Sequence, residues 1–243
     1  MRLIFEFFQS LLSDAPKWAI KQKLVNESIA IKARHERQKS HWANHLIGSQ
    51  SEILKFINEF PHSKEIAVFG SGHLFDFPTE LFSRKDLEFF LFDAVHPKSV
   101  RRQSYAAKVH FLNADLNLKP EVLKQQFAEA FGKCDLFISL NLLSQLALGG
   151  SAHLSKSEHL RKTFAQTLVS NHLALLKNRK TLLISDFEKN IYDREDKNIL
   201  FDSTLWDYKM PQPIRKWEWD LAPFGEVSKK YRIELTVGLW RFN

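Results

Sequence analysis

Three places in this sequence carry residue types that could build a ligand site. Gly70-Ser71-Gly72 ends the short apolar run Glu65-Ile66-Ala67-Val68-Phe69. Glycines at such a turn let the backbone approach a ligand closely, because a side chain there would stand in the way. Asp93 ends a second run, Leu87-Glu88-Phe89-Phe90-Leu91-Phe92, 21 residues after Gly72. A carboxylate at that place can accept hydrogen bonds from both ribose hydroxyls of a nucleoside. Asp115 follows a third run, Lys108-Val109-His110-Phe111-Leu112, where an adenine ring would sit and offer its exocyclic amine. Each feature alone reads equally as a tight turn, a loop acid or a cap. At the ends of three successive strands they converge on one nucleoside-containing ligand.

Further polar residues fall near the same rim. Asn141, in Ser139-Leu140-Asn141-Leu142-Leu143-Ser144-Gln145, could hold an acceptor or a ligand amino group, or cap a following helix. Asp186 and Glu188 follow a fifth run and could bind a basic group or act as a base, or be solvated loop acids. Arg34, Gln38, His41 and His45 share one helical face, which could lid a site or simply pack and solvate. His35 and His41 are candidate bases from this stretch. His41 and His45 have metal-ligand spacing, yet HExxH and a matching acidic cluster are missing, so no metal site is expected. His96 could stack on an adenosine, act as a base, or be a plain loop histidine. Trp206, Trp217, Trp219 and Trp240 could line an aromatic acceptor pocket or pack the sheet.

The elements that must position these residues change along the chain. Residues 1–60 read as helical, with Pro16 separating a first helix from a second over about Trp18 to Leu46 and a third over about Ser51 to Phe60. Apolar runs then alternate with helical stretches. One helix is expected after the glycine turn, marked by Asp76 and Pro78, and others open at Pro97 and span Pro120–Phe131 and Ser155–Leu176. A fourth strand is expected over Cys134–Leu140 and a fifth over Thr181–Ser185. That alternation predicts right-handed crossovers and a parallel sheet covered on both faces. Arg215–Leu221 and Tyr231–Trp240 have no room for a helix between them and predict an antiparallel hairpin. The expected class is α/β, a doubly wound, mostly parallel sheet with a C-terminal antiparallel hairpin. Residues 1–60 form a helical extension or lid, and 61–243 the sheet domain.

Composition narrows the function classes. The 243 residues carry 35 Lys+Arg against 28 Asp+Glu, a net charge of +7. The excess divides as +3 over residues 1–60, zero over 61–140 and +4 over 141–243. Such dispersion argues against dedicated nucleic-acid binding, which concentrates charge on one face. The single cysteine, Cys134, rules out a disulfide framework within the chain and reads as the buried start of the fourth strand in a reducing cytoplasm. No run of about 18 apolar residues exists for a membrane span. Residues 1–24 have the apolar spacing of an interfacial helix, but a helix docked on the main domain is the preferred reading.

Gly70-Ser71-Gly72, Asp93, Asp115, the polar end of the fourth strand and the terminal hairpin together resemble a class I S-adenosylmethionine-dependent methyltransferase over about residues 60–243. The resemblance implies a Rossmann-like, seven-stranded sheet with its last strand inserted antiparallel, and S-adenosylmethionine as cofactor. It places Gly70, Ser71 and Gly72 at the methionine part, Asp93 at the ribose, Asp115 near adenine and Asn141 where acceptor and methyl group meet. Any general base would come from His35, His41, His96 or Asp186. A small molecule or protein is the favoured methyl acceptor over nucleic acid, and the absence of the Asn/Asp-Pro-Pro-aromatic signature of base-amino methyltransferases argues against DNA adenine or cytosine N4. Val68 stands where the family usually has an acid, and Phe75 where the dinucleotide fingerprint has its third glycine. Both substitutions motivate a second reading, a non-catalytic binding or interaction module on the same fold. A nicotinamide-dependent oxidoreductase shares the first half of the pattern but usually keeps that third glycine.

Overall fold

The computed structural model describes residues 15–147 and 157–243. Most of the 1–24 segment weighed for membrane contact, and the expected helix start at Ser155, therefore lie outside the described residues. Among the described residues, no helix is long and apolar enough to cross a membrane.

The chain is α/β, with a mixed eight-stranded sheet among the described residues. Its strands are β1 (Glu65–Phe69), β2 (Glu88–Asp93), β3 (Lys108–Asn113), β4 (Leu136–Leu140), β5 (Lys180–Asp193), β6 (Asn198–Ser203), β7 (Arg215–Ala222) and β8 (Tyr231–Phe242). The order is β3-β2-β1-β4-β5-β8-β7, with β6 pairing β5 off that path. The first five strands run parallel. β6 and β8 lie antiparallel to β5, and β7 antiparallel to β8.

Near-continuous apolar runs form the central strands because both of their faces are covered. Ile66 and Val68 of β1 enter one core while Ala67 and Phe69 enter the other. The first core packs under Trp42, Ile53, Phe56 and Ile57 of a helix, α3 (Lys39–Asn58). The second packs under α5 (Pro120–Gln126), α6 (Ala128–Lys133) and α7 (Glu158–Leu176). Phenylalanine dominates: Phe69, Phe92 and Phe137 are fully buried, and Phe69 stacks on Phe92 at 4.8 Å. Each such ring contributes about 1.5–3 kcal/mol by leaving water.

Several expected boundaries move. The helix expected from Trp18 to Leu46 is three pieces, α1 (Lys17–Lys21), α2 (Leu24–Arg37) and α3. Lys23 takes a left-handed φ of 60° at the first break, and Gln38 has φ −115° at the second. The Gln38 break lets Arg37 and Gln38 both reach Glu226, where the Arg37 guanidinium drives the Glu226 carboxyl down to about 2. The third expected helix is the end of α3, which continues through Gly48 against the Trp217 indole.

No α-helix follows the glycine turn. Asp76 and Pro78 lead only into a 3-10 turn, Thr79–Ser83. Phe77 and Phe82 stack at 5.2 Å and both meet Phe89 edge-on, so aromatic burial, not a helical stripe, organises this crossover. The helix at Pro97 shortens to α4 (Lys98–Arg101), and the Pro120–Phe131 helix divides at Phe127, where φ is −120°. The expected fifth strand, Thr181–Ser185, continues to Asp193, and its distal half pairs with β6. The sheet thus has one strand more than the seven expected. β6 leaves Ile199, Leu200 and Phe201 exposed. Cys134 lies just before β4, buried, with its thiol pushed up to about 12 by desolvation.

Candidate functional site

A cavity of about 670 Å³ opens over the carboxyl ends of β1 to β5. This is where open α/β sheets bind ligands, and the volume suits a nucleoside-sized molecule. Gly70 and Gly72 come from the end of β1, Asp93 from β2, Asp115 from β3, Asn141 from β4 and Asp186 from β5; all six line it.

Gly70 has φ +75°, and a Cβ there would lie 2.5 Å from the Leu140 carbonyl oxygen. Only glycine lets β1 and β4 come that close. Gly72 has φ +37°, a Cβ there would meet Asp93 Oδ2 at ordinary contact distance, 3.6 Å, and its N–H donates to the same oxygen at 2.8 Å. Asp93 Oδ1 accepts from the Val95 N–H at 3.1 Å. The carboxylate therefore fixes the glycine turn and still has lone pairs for a ligand. Ser71 is buried, and its hydroxyl has no protein partner. Asp115 Oδ1 accepts from the Asn117 N–H at 3.1 Å, and the Gln22 amide of the α1–α2 turn reaches its other oxygen at 3.5 Å.

The roof is α2. Glu27, Ser28, Ile31 and Arg34 line the cavity from above. His73 ties the roof down, its Nε2–H donating to the Ser28 carbonyl at 2.9 Å. Burial lowers the pKa of His73. Phe75 sits between His73 and His35, with ring centroids 5.0 Å and 3.8 Å away. His35 is thus part of an aromatic stack behind the cavity wall, and desolvation lowers its pKa.

Asn141 marks the cavity floor. Its φ of 44° is left-handed, a conformation asparagine tolerates better than other side-chain-bearing residues. The side chain does not cap a helix. Its amide terminus lies 2.7 Å from Asp76 Oδ2 and 3.2 Å from His45 Nε2. His45 stacks flat on Trp219 at 4.1 Å, and its Nδ1 accepts the Trp217 indole N–H at 3.1 Å. Desolvation brings the His45 pKa down to about 3, so the ring is neutral. The Asp76 carboxyl is pushed up to about 6 by loss of water.

Asp186 does not end its strand. It sits inside β5 at an irregularity in register between Asp186 and Glu188, the kind of bulge that re-aims a side chain. The carboxyl group is buried, accepts from the Ser144 hydroxyl at 2.7 Å, and is shifted upward by desolvation. Glu188 continues the strand opposite Thr236 and Ser203, away from the cavity lining.

Two candidate bases lie elsewhere. His96 is buried behind the β2–β3 end, with Nε2–H donating to the Leu112 carbonyl at 3.2 Å and its ring edge-on to Phe111. His41 is exposed and pairs with Asp220 at 2.5 Å. Neither joins the cavity lining. Among the described residues, no group of three or more metal-ligating side chains occurs. Trp206 and Trp219 line the cavity, whereas Trp240 packs in the second core and donates to the Pro211 carbonyl.

No family model matches the chain. No curated protein matches it either. The site must speak through its own chemistry. Sequence reasoning placed His45 on a possible lid rather than beside Asn141, and missed Asp76 and Ser144 as members of this site. The only signal for Asp76 was its place four residues past Gly72, where it reads as a helix start.

Proposed function

We propose that this chain is an S-adenosylmethionine-dependent methyltransferase of the class I type, acting on a small molecule or protein. The reading takes the sheet as the doubly wound arrangement of that class, with β8 as the inserted antiparallel strand and β6 as an addition on distal β5. The observation that carries it is the Gly72–Asp93 hydrogen bond at the carboxyl ends of β1 and β2, in one cavity with Asp115. A turn stripped of side chains, an acid beside it and a second acid one strand on form a neutral-nucleoside cradle.

The residues fit the cofactor. The Gly72 backbone at the cavity wall and the unpartnered Ser71 hydroxyl suit its amino-acid part. Asp93 has acceptor capacity left for two ribose hydroxyls, and Asp115 for an exocyclic amine. The absence of an α-helix after the glycine turn removes the dipole that would favour a diphosphate, and the Asp93 carboxylate beside it disfavours one further. This supports a methyl-donor nucleoside over a nicotinamide dinucleotide.

When bound, S-adenosylmethionine supplies a methyl group on a positively charged sulfur. The protein's part is to hold donor and acceptor in line and to exclude water, which accounts for most of the rate in such displacements. The α2 roof, pinned through Ser28 and His73, does the excluding. Asp186, oriented by Ser144, is the group placed to take the acceptor's proton.

Calorimetric titration with S-adenosylmethionine and S-adenosylhomocysteine tests this reading. Binding of both, lost in Asp93→Ala, is the expected result. Absence of heat for either at about millimolar concentration refutes it. A non-catalytic module remains the second reading, favoured by Val68 in place of the family's acid; it predicts ligand binding without turnover of any acceptor, or no ligand at all.

A further inference from the structure

The cavity floor contains a line of polar side chains whose protons can be assigned by counting donors and acceptors. It begins at Trp217. An indole N–H only donates, so His45 Nδ1, 3.1 Å away, carries no proton. The neutral imidazole must then hold its hydrogen on Nε2. That Nε2–H points at the Asn141 amide terminus, 3.2 Å away, and needs an acceptor there. Amide oxygen and nitrogen are told apart by the network around them. Asn141 therefore turns its oxygen toward His45. The same atom lies 2.7 Å from Asp76 Oδ2. Two oxygens at that separation share a hydrogen, and an amide oxygen has none to give, so Asp76 supplies it.

We propose that Asp76 is held as a neutral carboxylic acid by this one-way chain from Trp217, and that its ionisation switches the cleft from favouring an uncharged nucleoside to favouring a cationic one. The second half rests on the methyltransferase reading, in which the donor is a sulfonium cation and the product an uncharged thioether. Asp76 lines the cavity four residues past Gly72, on the side where the amino-acid part of that ligand fits. A carboxylate there attracts the cation; a carboxylic acid does not. Release of the spent thioether is then linked to loss of a proton from Asp76.

The surroundings favour the neutral acid. Desolvation dominates at Asp76, and the Asp93 charge from the end of β2 adds to it. With Asn141 turned, its amino group no longer stabilises the carboxylate, which raises the midpoint further. That group then takes the buried position with no protein partner. The other charged or titratable groups around this cleft are Glu27 and Arg34 from α2, His73 beside the glycine turn, Asp115 after β3, Asp186 from β5, Glu158 from α7, and the ion pairs Lys162–Asp207 and Lys189–Asp202. Arg34 is drawn toward Glu226, 3.6 Å away, so it does not neutralise Asp76 directly.

The test compares the affinities of S-adenosylmethionine and S-adenosylhomocysteine by calorimetry from about pH 5 to about pH 8.5. In the native protein the preference for the sulfonium should rise about tenfold across the Asp76 midpoint. In Asp76→Asn, which mimics the neutral acid and can still donate to Asn141, the ratio should stay flat. A ratio independent of pH in the native protein, or an unchanged pH dependence in Asp76→Asn, overturns the switch. Failure of both ligands to bind at any pH removes the methyltransferase reading and the switch with it. The chain itself is read separately by carbon NMR of the Asp76 carboxyl and nitrogen NMR of His45. An Asp76 midpoint at the ordinary 3.8, or a His45 hydrogen on Nδ1, overturns it whatever binds. Trp217→Phe should release the His45 tautomer and lower the Asp76 midpoint.

Discussion

Gly72 gives its backbone N–H to the Asp93 carboxylate at 2.8 Å, joining the carboxyl ends of β1 and β2. One side chain thereby shapes the turn and lines the cavity. Asp93→Asn keeps the size but removes the charge and leaves one acceptor oxygen for the two backbone N–H groups of Gly72 and Val95. We expect binding of S-adenosylmethionine to weaken at least about tenfold, with about 1–2 kcal/mol lost from stability. Calorimetry and urea unfolding on the same preparation separate the two effects.

The two glycines of the turn should respond differently to the same substitution. Gly70→Ala drives a Cβ to 2.5 Å from the Leu140 carbonyl oxygen at φ +75°, so backbone must move. A loss of about 3 kcal/mol or more is expected in chemical unfolding. Gly72→Ala meets only Asp93 Oδ2 at 3.6 Å and pays mainly for its positive φ, about 1 kcal/mol. Its larger effect should be on ligand affinity.

Asp76→Asn should stabilise the protein at neutral pH. The folded pKa of Asp76 is raised from 3.8 to about 6, so the native state holds a proton that the unfolded state releases in between. Stability from this group is complete below 3.8 and is lost as pH rises through about 6. The asparagine variant escapes that loss. Its advantage in urea unfolding should reach about 2–3 kcal/mol at pH 7 and vanish near pH 4.

Acid should act on the opposite side of the ledger through two buried histidines. Desolvation lowers His45 from 6.5 to about 3 and His172 from 6.5 to about 4. The native state refuses protons that the unfolded chain accepts, so their stability is full above 6.5 and drains as pH falls toward those values. Each contributes a slope of about 1.4 kcal/mol per pH unit in its window. His172→Gln can still meet Ser139, which lies 2.9 Å from His172 Nε2, and should lessen the acid dependence measured by urea midpoints.

The parallel part of the sheet was legible because its strands are buried on both faces and read as unbroken apolar runs, as in Ile66–Phe69. The cavity-lining acids Asp93 and Asp115 stood out because they end or closely follow those runs. What stayed hidden depends on contacts between distant segments. Asp76 joins Asn141 across 65 residues, and His45 meets Trp217 across 172. No local pattern announces such pairs. The missing helix after the glycine turn was misread because Asp76 and Pro78 imitate a helix start, while Phe77 and Phe82 are claimed by the aromatic core. β6 escaped notice because its apolar residues Ile199, Leu200 and Phe201 are exposed and follow no burial period.

The length of β5 has a mechanical side. The strand is held between β4 and β8 up to the irregularity at Phe187, then between β6 and β8 as far as Asp193. From that point to the turn at Arg194 is roughly 20 Å at the usual strand rise. Asp202 and Ser203, which form part of the cavity rim, pair with Lys189 and Glu188 at the root of that stretch. The bulge that aims Asp186 inward thus marks the point where β5 exchanges β4 for β6 as its neighbour, with β8 bracing both halves.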